Sequence, residues 1–168
     1  RLGKTDLMVS ELCLGTMTYG NQTPESAAHT QMNMALDAGI NFIDAAEMYP
    51  VNPIAKETIG LTEEILGNWF KQTGRRNEWI LATKHSGEGM EHARNGAPIS
   101  SETVPEAVEG SLKRLKTDHI DPYQLHWPNR GSYMFRKNWP FDPTTQNRNE
   151  TLQNMADVLG ALGREIEK

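Results

Sequence analysis

The chain is 168 residues long, enough for one domain, and 17 Lys and Arg against 22 Asp and Glu leave a formal net charge of −5. That balance leaves no electrostatic footprint for nucleic acid. No run comes near the ~18 consecutive apolar residues of a membrane helix, and a single cysteine, Cys13, forbids an internal disulfide.

A soluble cytoplasmic protein is therefore expected. Cys13 in "ELCLGT" reads as a small buried hydrophobe, and the basic pairs Arg75-Arg76 and Lys113-Arg114 read as solvated faces.

In chain order, strands and helices alternate. "SELCLGTM" (10–17) is a first strand that ends at a Gly-Thr turn. A helix over 24–39 is marked by Thr23 as cap, Pro24 in its first turn and Gly39 as its stop. "INFID" (40–44) is a second strand, and "TEEILGNWFKQTG" (62–74) a second amphipathic helix. "EWILATK" (78–84) is the third strand. A helix over 103–116 opens on a Thr103-x-x-Glu106 capping box, with Pro105 in its first turn. The fourth strand starts at Tyr123, because Pro122 lacks the N–H a strand interior needs. A long loop leads to a last helix from about Glu150, with Leu152, Met155, Leu159, Leu162 and Ile166 on one face. Trp69 and Trp79 fit core or helix-packing positions.

Four βα units with strands apolar on both faces imply a parallel α/β sheet, either open and doubly wound or part of a (β/α)8 barrel. Residues 1–168 are taken as a single domain.

Three strands finish on ionisable residues: Asp44, Lys84 and His126. Singly, each has an ordinary explanation as a cap, a solvated end or a satisfied core histidine. Together they mean more, because the carboxyl ends of parallel strands are where α/β folds gather their sites. Tyr49, five residues past Asp44, adds a phenol. A phenol with a reference pKa near 10 is a reluctant acid at neutral pH, and an adjacent ammonium eases its ionisation. Lys84 can be that ammonium, Asp44 its counter-charge, and His126 a hydrogen-bonding partner for a substrate oxygen. The reaction such a set suits is proton delivery to a carbonyl oxygen while a hydride reaches the carbon. Glu47 adjoins the site and reads equally as a solvated turn residue. His29, His85, His92 and His119 lack metal-ligand spacing, so no metal is expected.

At "LGKTDLMVSELCLGTMTYG", "GINFIDAAEMYP", "LATKH" and "SLKRLKTDHIDPYQLHWP" the sequence resembles the aldo-keto reductases, in wording nearest the bacterial branch of Tas-like reductases. The resemblance implies the N-terminal half of a (β/α)8 TIM barrel, four βα units behind an N-terminal hairpin. It also implies NADP as cofactor and an aldehyde or ketone as substrate. The implied roles are Tyr49 as proton donor, Lys84 and Asp44 as its tuning pair and His126 as substrate orienter. Gly15, Thr16, Asp44 and Trp127 would line the nicotinamide end.

In such barrels the phosphate-binding loops follow strands seven and eight. These 168 residues do not include them, so NADP binding is expected to be weak or absent. Two open sheet edges would then favour a homo-oligomer that covers them. The competing reading is an inactive half-barrel acting as an interaction or structural module.

Overall fold

The computed structural model describes residues 1–129 and 139–168. In chain order the elements are β1 (Cys13–Gly15), α1 (Glu25–Asp37), β2 (Phe42–Asp44), α2 (Leu61–Thr73), β3 (Ile80–His85), α3 (Thr103–Leu115), β4 (Tyr123–Leu125) and α4 (Arg148–Ile166). The strands form one open parallel sheet in the order β1-β2-β3-β4. Leu14 stands opposite Ile43, and Ile43 opposite Leu81. The four βα units expected from the sequence are all present, and β4 starts at Tyr123. Pro122 stays outside it, with its carbonyl accepting the Thr83 N–H at 3.3 Å. No helix among the described residues is long and apolar enough to cross a membrane.

The chain divides into two compact units. The first comprises Arg1–Lys84 with Gly110–Gln124, and the second His85–Glu109 with Leu125–Lys168.

In the first unit, strand alternation sends Leu14, Ile43 and Leu81 to one face, where they pack with Ala28 and Met32 of α1 and Ile65, Leu66 and Trp69 of α2. Trp69 and Trp79 are both core residues. They meet edge-on at 6.4 Å, a contact worth about 0.5–1.5 kcal/mol beyond its buried area. Gly39 ends α1 as expected, at φ +79°, and Gly74 caps the end of α2 at φ +69°. At Gly67 a side chain would overlap the Arg114 carbonyl, so α2 meets the end of α3 backbone to backbone.

Several local expectations fail here. Thr23 does not cap α1. Its N–H and carbonyl are spent on Thr18 and Gly20, its hydroxyl on Thr18, and Pro24 takes the cap position. The N-terminal hairpin is a turn closed by Leu2 N–H to Leu7 C=O at 2.9 Å, with no described strand before β1. Cys13 is exposed, because it lies on the sheet face opposite Leu14, away from the helices. Arg76 is not on a solvated face: it is buried, bonded to the carbonyls of Trp79 and His119 and paired with Asp121 at 2.8 Å. Arg114 turns inward as well, onto Glu63.

One buried phenol gives this unit a pH dependence. Tyr19 is 1% exposed and donates to Gln31 Oε1 at 2.9 Å. Burial pushes its pKa up from 10 to about 12. A raised folded-state pKa means stability that is complete below pH 10 and lost as pH rises through about 12. Two units correspond to ~3 kcal/mol. Urea midpoints across that window should fall steeply for the parent chain and less steeply for Tyr19→Phe. Parallel slopes would contradict the assignment.

The second unit has its own small core of Ile99, Val104, Val158 and Ala161, with Val108, Leu125 and Leu162 against it. The Thr103–Glu106 box does not form, because Thr103 is already the first helical residue. Ser100 caps instead, its Oγ accepting from the N–H groups of Glu102 and Thr103 at 3.2 Å each. Asn147 caps α4 by accepting from Asn149 and Glu150. The face of α4 that is buried carries Val158 and Ala161. Leu152, Met155, Leu159 and Ile166 of the expected stripe are 52%, 43%, 58% and 86% exposed. Residues such as Asn154, which bonds the Ile99 carbonyl at 3.0 Å, set the rotation of the helix in place of the longest apolar row.

Candidate active site

Alternation puts Asp44 on the face opposite Ile43, and Ala82 and Lys84 on the same side. Lys84 is 8% exposed. Its ammonium donates to Asp44 Oδ2 at 2.7 Å and to the Ala45 carbonyl at 2.5 Å. The turn after β2 is stitched to β3: Ala45 N–H bonds Ala82 C=O at 2.9 Å, and Glu47 N–H bonds Lys84 C=O at 3.3 Å. Tyr49 N–H then returns to Ala46 C=O at 3.0 Å. The phenol ring thereby comes to lie under the lysine, with Nζ 4.9 Å from the ring centroid. Strand end, turn and ring thus form one local construction within the first unit.

The electrostatics differ from expectation in sign. Lys84 was expected to ease ionisation of Tyr49, yet the Tyr49 phenol is pushed up, first by burial and then by the Asp44 carboxylate. The ammonium is engaged by Asp44 and a carbonyl, and it faces the ring. Tyr49 therefore holds its proton through neutral pH.

Gly15 stands opposite Asp44 in register, and a side chain there would meet nothing within 4 Å. Thr16 is fully buried, and its N–H and hydroxyl both donate to the Asp44 carbonyl, at 3.2 and 2.8 Å. Gly15, Thr16, Asp44, Tyr49 and Lys84 all belong to the first unit. His126 and Trp127 lie in the second. There His126 N–H bonds the His85 carbonyl at 3.0 Å, and the Trp127 indole donates to the Glu88 carbonyl at 3.1 Å. Their ring centroids are 5.0 Å apart. Gly87 makes room for the indole, since any side chain there would overlap Trp127.

Sequence reasoning missed three features. Glu47 is 4% exposed, so of its two readings the solvated turn residue does not hold, and its burial had no sequence signal. The Ala45 carbonyl, the second acceptor for Lys84, carries no side-chain signature. Glu63, Thr83 and Arg114 form a buried network behind β3; its one sequence signal was a glutamate inside an otherwise apolar helix face.

The nicotinamide end of a dinucleotide suits the residues present, because Gly15 leaves open space beside an ordered carboxylate–ammonium pair.

Four parallel strands in one open sheet, with an ion pair seated over a phenol where β2 and β3 end, have the architecture of half of a (β/α)8 barrel. The chain belongs to the aldo/keto reductase family, whose model matches residues 11–163. It is 42% identical over 167 residues to Protein tas of Escherichia coli K12, covering 96% of this chain and 48% of that protein. Among solved structures, a putative aldo-keto reductase from Pseudomonas aeruginosa superposes with TM-score 0.69 at 30% identity, covering 98% of this chain and 53% of that one. The holo form of an aldo-keto reductase from Bacillus halodurans gives 0.60 at 40% identity, covering 74% and 38%. The chain thus spans about half the length of the curated relatives it matches first.

Proposed function

We propose that this chain carries the proton-delivering site of an NADPH-dependent reduction of aldehydes or ketones. Bound NADPH would supply the hydride that reaches the carbonyl carbon. Gly15, Thr16 and Asp44 are the residues of the first unit proposed to hold its nicotinamide end.

Tyr49 gives its hydroxyl proton to the carbonyl oxygen as the carbon–oxygen double bond becomes single, and the phenolate left behind recovers a proton from water. Lys84 stabilises that phenolate. Asp44 holds the ammonium in place.

The observation that carries this reading is the Lys84 ammonium, bonded to Asp44 and seated over the Tyr49 ring. The test is a titration with NADPH followed by its fluorescence. Saturable binding is expected. No saturation would overturn the reading.

One observation favours a second reading, a self-associating module. The exposed row Leu152, Met155, Leu159 and Ile166 on α4 is an apolar face that a second copy would cover. Sedimentation at several concentrations should then reveal a dimer, and a monomer throughout would remove this reading.

A further inference from the structure

Glu63 is fully buried in the first turn of α2, where an apolar residue would pack without cost. Its carboxylate is fully engaged. Oε1 accepts the Thr83 hydroxyl at 2.6 Å, and Oε2 accepts Arg114 Nε at 2.7 Å. The guanidinium has a slot cut for it. A side chain on Gly60 would come within 2.7 Å of Arg114 Cδ, and one on Gly110 within 3.1 Å of its Nη1. Thr83, which bonds the carboxylate, and Ser111, which Arg114 also meets, are fully buried as well. A buried ion pair of this kind is rarely the most stable filling for its space; a well-packed apolar replacement is often as good or better. Its specific geometry is the part an apolar filling could not reproduce.

That geometry converges on the two residues of the candidate site. Thr83 immediately precedes Lys84 on β3, so the grip on its hydroxyl fixes the strand end from which the lysine projects. The same end of α2 holds the tyrosine, because the N–H groups of Gly60 and Thr62 both donate to the Tyr49 carbonyl, at 3.0 and 3.3 Å. One rigid helical turn therefore sets the backbone positions of both.

We propose that Glu63, held by Arg114 and bonded to Thr83, is a positioning residue for Lys84, and that the first turn of α2 sets the placement of the Lys84 ammonium over the Tyr49 ring. The proposal rests on the reading of these two residues as the proton-delivering pair.

The test is NMR of the whole chain labelled in lysine. The ε-methylene of Lys84 feels the ring current of Tyr49, and Tyr49→Leu identifies its signal. Thr83→Val removes the hydroxyl and keeps the shape; it should move that signal most of the way to its Tyr49→Leu position. Thr83→Ser restores the hydroxyl and should leave the signal where it is in the parent. A merely structural Glu63–Thr83 bond would lower the urea midpoint of Thr83→Val without moving the signal, and that result overturns the proposal. If the valine variant does not fold, Thr83→Ala gives the same two outcomes. No turnover is measured, so loss of the catalytic reading through a failed NADPH titration remains a separate result.

Discussion

Replacing Tyr49 with phenylalanine is expected to cut carbonyl turnover roughly a hundred- to ten-thousand-fold, the usual worth of a positioned proton donor. The ring would remain under the Lys84 ammonium, which lies 4.9 Å from its centroid, so the packing of the site should survive. What disappears is the one proton that burial and the Asp44 carboxylate keep on the phenol. The loss should therefore fall on kcat and kcat/KM alike, the signature of an interaction made in the transition state, with NADPH affinity nearly unchanged. Turnover equal to the parent would show that another group delivers the proton.

The second large effect concerns stability. Arg114→Ala is expected to destabilise the chain by about 3 kcal/mol, near the low end for breaking a buried ion pair because the arginine side chain is still 27% exposed. The variant leaves the wholly buried Glu63 carboxylate with the Thr83 hydroxyl as its remaining partner in this network. Gly60 and Gly110, opposite the vacated slot, have no side chains to fill it. Pairing Arg114→Leu with Glu63→Leu should recover most of the loss, since the stranded charge is then gone. Urea unfolding of the single and double variants measures both, and a single variant as stable as the parent would mean that water solvates Glu63 freely.

Much of the fold was legible in the sequence because it depends on near neighbours. Gly39 stops its helix through positive φ, and Pro122 bars the strand from starting earlier. The alternation around Ile43 and Leu81 fixes which side chains reach the helices. Asp44, Tyr49 and Lys84 were legible for the same reason: a strand end and a short turn place them by chain geometry alone.

The features that were not legible depend on competition with distant groups. Thr23 could have capped α1, but Thr18 claims it first. Thr103 sits one step too far into its helix, and Ser100 takes over the cap. The α4 row from Leu152 to Ile166 is longer than the buried one, yet Val158, Ala161 and Asn154 decide which way the helix faces. The sign of the Tyr49 shift comes first from burial and then from the Asp44 carboxylate, and the depth of that burial depends on the fold around the turn. Arg114 reads as a surface charge until α2 brings Glu63 to it from 51 residues away.

The most direct test of the central claim, that this site reduces carbonyls by hydride and proton delivery, is label transfer. The chain is incubated with an aldehyde and NADPH deuterated at the transferable position of the nicotinamide, and the product is read by mass spectrometry. The account predicts an alcohol with deuterium on its former carbonyl carbon, and little of it from Tyr49→Phe. No alcohol, or alcohol without the label, would contradict it.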